Sequence, residues 1–214
     1  MLTQRRTYLD QFLLSQIPQM EGDILDIGGK KSNKRGTFRP PLDQVNSWRY
    51  VNIDATTAPD FCCGAEQIPL PDQSIDGFLL CEVLEHLEHP EAVLEEALRL
   101  LRKDGKGWIT VPFLYQVHAD PHDYQRWTET KLRQVLSEIG FAEIEIQPMG
   151  GVWAVIHDLW YATLCRSPNR GNLTSKLGFR LHRYSAQLFT WLDRHFAYTS
   201  PYMTTGWAVS VLKH

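Results

Sequence analysis

The chain has 214 residues, 43% of them hydrophobic and 22% charged, with a formal net charge of -3. That composition is globular and argues against wholesale disorder, and the acidic balance gives no global reason to expect a nucleic-acid partner. Four cysteines (Cys62, Cys63, Cys81 and Cys165) form no CxxC pair and fit no zinc spacing, so free thiols in a reducing compartment are expected.

In the N-terminal stretch, Asp10, Gln11, Ser15 and Gln16 interrupt what would be the apolar core of a signal peptide. No uncharged apolar run reaches the roughly 18 residues of a spanning helix, so a cytoplasmic protein is expected. Tyr8, Leu9, Phe12, Leu13 and Ile17 recur at helical spacing and predict a helix over 4–17, ended by Pro18. GDILDIGG (22–29) reads as a strand entering a glycine turn. RYVNIDA (49–55) reads as a second strand ending in Asp54, and residues 75–81 as a third, continuously apolar at Phe78, Leu79 and Leu80. Such runs suit strands buried on both faces.

PEAVLEEALRLLRK (90–103) is an amphipathic helix with acids early and bases late, closed by Asp104-Gly105. A strand over 107–113 follows. A helix is capped by Thr128 and closed by Gly140, and alternating strands cover 141–149 and 204–213. Strand–helix alternation of this kind predicts a doubly wound sheet in a single domain over 1–214. The segment 151–200 stands apart: it is rich in aromatic residues and carries +4, leaving -7 on the remainder. It reads as a helical insert before the last strand.

Open α/β sheets bind ligands beyond the carboxyl ends of their strands. At the first such end stand Asp26, Gly28 and Gly29, a spacing that is not the GxGxxG of dinucleotide binders. An acid before the glycines would repel a pyrophosphate and suits a cationic group, such as the α-ammonium of an amino-acid-like ligand. Asp54, at the next strand end, suits the hydroxyls of a ribose; its other reading is an exposed turn residue.

The stretch 64–90 carries a longer pattern: Ala65, Pro69, Leu70, Asp72, Ser74, Ile75 and Asp76, then Leu84, Glu85, His86 and Pro90. Over about 22–150 the chain resembles the class I S-adenosylmethionine-dependent methyltransferases, and within them the methyltransferase type 11-like, small-molecule subgroup. Its signature reads D-A-x-x-L-P-F-x-D-x-S-F-D, then L-E-H-x-x-x-P, with Gly64 here in place of the first acid. The resemblance implies a Rossmann-like, doubly wound α/β fold, a mostly parallel seven-stranded sheet with an antiparallel final strand. It implies S-adenosylmethionine as cofactor, with Asp26, Gly28 and Gly29 along the methionine moiety. Asp54 would take the ribose and Ala55, Ala65 and Glu66 would border the adenine. Cys81 and Glu82 would run beside the cofactor, and His86 would pack at the start of the following helix.

Two features depart from the pattern. Lys30 replaces the third glycine, which makes the loop with Lys31, Lys34 and Arg35 basic: a site for an anionic substrate group, or a solvated loop. Pro40-Pro41 breaks the helix expected between the first two strands, so that crossover should be partly a loop.

After the strand over 107–113 come His118, Asp120, His122, Asp123 and Arg126 among Tyr115, Tyr124 and Trp127. His118 or His122 suits a general base, with Asp123 and Arg126 as substrate contacts. The other readings are a structural Asp123–Arg126 ion pair and, third, a metal; no metal is assigned. The insert 151–200 reads as helices packed over the sheet, as an element facing anionic headgroups at a membrane surface, or as a homodimer contact. No Asn/Asp-Pro-Pro-Tyr-like motif stands at Cys81–Leu84, which favours a small-molecule acceptor over nucleic acid. A sugar or glycan precursor is the expected acceptor. A non-catalytic binding protein and an NAD-type oxidoreductase are the alternatives.

Overall fold

The computed structural model describes residues 3–32, 36–118, 122–167, 172–196 and 203–214. Helix α1 (Gln4–Gln16) precedes strands β1 (Asp23–Ile27), β2 (Ser47–Val51) and β3 (Ile75–Cys81). Helix α2 (Pro90–Leu100) leads directly into β4 (Leu101–Pro112), followed by α3 (Glu129–Ile139) and β5 (Ala142–Pro148). Helices α4 (Val152–Arg166) and α5 (Leu173–Phe196) then separate β5 from β6 (Gly206–Leu212). One sheet orders the strands β2-β1-β3-β4-β6-β5. The first four are mutually parallel, and β6 runs antiparallel to both β4 and β5.

The apolar runs are explained by two cores, one on each face. Successive residues of a strand point to opposite faces. Leu25, Phe78, Leu80, Ile109 and Val209 accordingly face α2 and α3, while Ile24, Leu79, Trp108 and Ala208 face α1 through Leu9, Phe12 and Leu13. Thr128 and Gly140 cap α3 as its sequence predicts, Thr128 accepting from the Lys131 amide and Gly140 adopting φ 111°.

Three sequence expectations are corrected. The sheet has six strands among the described residues, not seven. In place of a further edge strand, a single parallel bridge joins Val51 to Phe61. Pro59, Pro69 and Pro71 withhold ladder donors along that stretch. The second strand ends at Val51 rather than reaching Asp54, which instead caps a short 3-10 turn at Ala55–Thr57. The helix over 90–103 stops at Leu100, and Asp104-Gly105 form a bulge inside β4: Ile75 pairs with Leu101, but Gly77 already pairs with Lys106.

Between β1 and β2 the described residues form no helix. The sheet face beneath that crossover is covered by α1, assisted by Phe38, Val45 and Trp48. Helix α1 is in turn tied to the α4–α5 pair. The buried Asp158 carboxylate accepts from the Gln4 and Arg5 amides at 2.7 and 2.9 Å, capping the first turn of α1. The buried Asp193 carboxylate accepts from the amides of Gly151, Trp153 and Ala154 and from the Tyr8 hydroxyl, capping α4 from α5. His157 and His182 stack at 3.7 Å, and each ring Nε2 donates to the other's backbone carbonyl. Burial and the neighbouring His157 hold His182 below its ordinary range.

No apolar residue of helix α5 is fully buried among the described residues. Its buried residues are the polar Ser175, His182 and Asp193, whereas Leu177, Leu181, Tyr184, Leu188 and Trp191 are exposed. Asp193→Ala leaves three amides and a phenol without their acceptor and should lower the unfolding free energy by about 2–4 kcal/mol. Chemical denaturation measures this, and a loss below about 1 kcal/mol would show that the carboxylate does not bind the three helices together.

Candidate functional site

The parallel arrangement brings the carboxyl ends of β1, β2 and β3 to one edge. There a cavity of about 540 Å³ opens between those ends and α1, within the size range of small-molecule sites. Asp26, Gly28 and Gly29 line it from β1, Asp54 from the turn after β2, and Cys81 and Glu82 from the end of β3. From the other side come Arg6, Leu9, Asp10 and Leu13 of α1.

The glycine turn is built by local geometry. Gly28 has φ 81°, a conformation an L side chain rarely adopts, and a Cβ there would meet Val83. A Cβ on Gly29 would fall on the Asp26 carboxylate. The Gly28 amide donates to Val51 O at 2.8 Å, and Asn52 Nδ2 donates to the carbonyls of Gly28 and Gly29 at 3.1 Å each. The backbone is thus held open above an acid.

Asp54 is exposed at the rim. Its carboxylate accepts from the Thr56 hydroxyl at 2.6 Å and from the Thr56 amide at 2.9 Å, and these bonds hold it below its usual range. Burial pushes the Cys81 thiol up to about 12, so Cys81 is a neutral wall rather than a nucleophile. Glu82 sits at φ 58°, a strained backbone for a non-glycine residue, and its carboxylate accepts from Thr110 Oγ1 at 3.2 Å. It also pairs with the Arg5 guanidinium, which stacks over the Tyr115 ring at 4.0 Å.

Ala55, Ala65 and Glu66 are not among the residues that line this cavity. Ala55 is exposed in the turn after Asp54, and Ala65 packs against the sheet core. Glu66 lines a separate groove with Glu96 and Arg99, because the Ile68 amide donates to Glu96 at 2.7 Å and draws the loop onto α2. Of the basic loop, Lys30 lines the cavity and Lys31 pairs with Asp60 at 2.6 Å; Lys34 and Arg35 lie outside the described residues.

The cluster after β4 also assembles. The Asp123 carboxylate accepts from the His118 amide at 2.8 Å, lies 3.4 Å from His118 Nδ1 and is held by both terminal nitrogens of Arg126. The Arg126 guanidinium lowers the Asp123 carboxyl to about 2. His122 contributes its backbone carbonyl, which accepts from His86 Nδ1 at 2.5 Å; its own ring lies beside Tyr124. Asp120 lies outside the described residues. Three residues at these sites were not singled out from the sequence. Arg6 and Asp10 reach the cavity through the docking of α1, which spacing alone does not reveal. Glu85 belongs to the LEH pattern but is fully buried beneath His86 and His118.

The comparisons with known proteins agree with this architecture. A family model described as a methyltransferase domain matches residues 41–109. The ubiquinone/menaquinone biosynthesis C-methyltransferase UbiE of Bartonella henselae is 21% identical over 171 residues, covering 66% of this chain and 59% of that protein. The chain thus spans less than two thirds of the curated relatives it matches. Among solved structures, the [4+2]-cyclase SpnF superposes with a TM-score of 0.60 at 15% identity, covering 96% of this chain and 80% of that one. A SAM-dependent methyltransferase from Archaeoglobus fulgidus gives 0.56 at 16% identity, covering 97% and 94%. Residues 41–109 thus match a methyltransferase-domain model, and the chain shares the Rossmann-like fold of these structures.

Asp54→Ala should weaken S-adenosylmethionine binding about tenfold while leaving the fold intact. Calorimetric titration of the variant decides the point, and unchanged affinity would remove Asp54 from the binding site.

Proposed function

We propose that this protein transfers a methyl group from S-adenosylmethionine to a small-molecule acceptor, with a hydroxyl of a sugar or glycan precursor as the favoured target. The observation that carries this reading is the cavity at the ends of β1 and β3, with Asp26 under an open glycine turn and Asp54 at its rim.

The residues fit the cofactor. Asp26 suits the α-ammonium of its methionine moiety, and Arg6, across the cavity, suits the α-carboxylate. Asp54 suits the ribose hydroxyls, and Leu9, Leu13, Phe38 and Leu79 supply apolar surface for the flat base. When bound, the cofactor supplies an electrophilic methyl group on a sulfonium. Methyl transfer then depends mainly on alignment of acceptor and methyl. Glu82, pinned by Arg5 and Thr110, stiffens the strand end beside the cofactor. Asp123 accepts from the backbone of His118 and faces its Nδ1, which favours the neutral tautomer protonated on Nδ1 over the one protonated on Nε2. That tautomer is the one a proton acceptor or a metal ligand requires.

Titration with S-adenosylmethionine should show binding in the micromolar range, and titration with NADH none. Binding of NADH alone would favour an oxidoreductase. Binding of neither would favour a non-catalytic protein on this fold.

A second copy of the chain is proposed as the partner of α5. Leu177, Leu181, Tyr184, Leu188 and Trp191 are exposed at alternating spacings of four and three residues, the pattern of a helix–helix seam. No described helix is long and apolar enough to cross a membrane. Light scattering should report a dimer that Leu181→Glu with Leu188→Glu converts to monomer. A monomeric wild-type chain that floats with anionic vesicles would assign the stripe to a membrane surface instead, and a monomer that does neither would refute both.

A further inference from the structure

Between the end of β3 and the loop after β4, three side chains offer lone pairs to one point. Glu85 is fully buried, and among the described residues neither of its carboxylate oxygens has a hydrogen-bond donor. Nε2 of His118 lies 3.5 Å from Glu85 Oε1, and Nε2 of His86 lies 3.7 Å from the same oxygen. One ligand atom from each residue lies within 4.8 Å of the others.

The opposite ring nitrogens are both committed. His86 Nδ1 faces the His122 carbonyl at 2.5 Å, and His118 Nδ1 faces the Gln116 carbonyl at 3.3 Å and the Asp123 carboxylate at 3.4 Å. Carbonyls and carboxylates only accept, so each imidazole must carry its proton on Nδ1. In the neutral form of each ring, Nε2 then points a lone pair at the buried carboxylate. Three acceptors facing one another without a donor repel, and either a bound cation or a proton on one Nε2 relieves that cost.

The spacings suit such a cation. Ligands about 2.0–2.2 Å from a tetrahedral zinc stand roughly 3.4 Å apart, longer than a good hydrogen bond and close to the two separations seen here. The backing of each imidazole by a carbonyl or carboxylate on Nδ1 is the arrangement that orients metal-bound histidines. Two imidazoles and one carboxylate select zinc or another first-row divalent ion over magnesium or calcium.

We propose that Glu85, His86 and His118 bind a divalent transition-metal ion with a coordination position left for an exogenous oxygen ligand. Its existence does not depend on the methyltransferase reading; its role does. Under that reading the open position receives an acceptor hydroxyl, whose oxygen coordinates the ion while its proton leaves to solvent, and His118 serves as a ligand rather than as the base.

The test uses the full chain, stripped with chelator and titrated with Co2+ while the visible d–d absorption is followed, with Zn2+ as competitor. One equivalent of Co2+ should bind and be displaced by Zn2+, and His118→Ala and Glu85→Gln should each weaken binding at least tenfold. S-adenosylmethionine affinity, measured by calorimetry on the same samples, should stay within about twofold in both variants. Absence of saturable Co2+ binding, or equal binding by wild type and His118→Ala, would overturn the site and leave a protonated histidine–carboxylate cluster. If Glu85→Gln fails to fold, His118→Ala, whose ring is partly exposed, carries the comparison. Metal binding without any S-adenosylmethionine binding would uphold the site and defeat the methyltransferase reading.

Discussion

A single buried carboxylate on α4 holds the first turn of α1. Asp158 accepts from the amides of Gln4 and Arg5, and much else depends on that cap. With its end fixed, α1 lies along the sheet, where Leu9, Phe12 and Leu13 close one core and Arg6 and Asp10 wall the cavity. The same segment therefore supplies stability on one side and a binding surface on another. Because the cap comes from α4, and α4 is capped in turn by Asp193 of α5, the helical pair before the last strand and the N-terminal helix form one mechanical unit.

This coupling reaches the chemistry through Arg5. Its backbone amide is held by Asp158, its guanidinium pairs with Glu82 in the cavity, and its plane covers Tyr115. The Tyr115 ring meets His118 edge-on at 5.4 Å. Burial lowers the Arg5 pKa, and nearby Tyr115, Glu85 and Asp158 oppose that shift; a buried cation among these groups costs least where it is paired. The cavity at the strand ends and the Glu85–His86–His118 cluster are thus linked through Arg5 and Tyr115.

The inverted character of α5 fits the same division of labour. Two of its buried residues are polar and join it to α4: Asp193 caps α4, and the His182 ring donates to the His157 carbonyl. Phe179 and Phe189 pack on α4, while Leu177, Leu181, Tyr184, Leu188 and Trp191 face outward, a pattern more common at contact surfaces than on monomer exteriors.

Much of this was legible in the residues. Continuous apolar runs announced a two-faced sheet, Thr128 and Gly140 announced the ends of α3, and Asp26, Gly28 and Asp54 announced the strand-end site. These signals are local, arising from period, cap and turn chemistry that a short stretch expresses alone. The missing edge strand, the bulge at Asp104-Gly105 and the loop that turns Glu66 away from the cavity depend on pairing with distant segments, Phe61 on Val51 and Ile68 on Glu96. The role of Glu85 was hidden because burial is a property of its surroundings, not of its neighbours in sequence. The sequence by itself determined the architecture class and the acids at the strand ends, because backbone period and glycine geometry act over a few residues. Only the tertiary structure decided that α1 walls the cavity and that Glu85 meets two histidines. Both depend on long-range contacts whose energies come from helix caps and burial far along the chain.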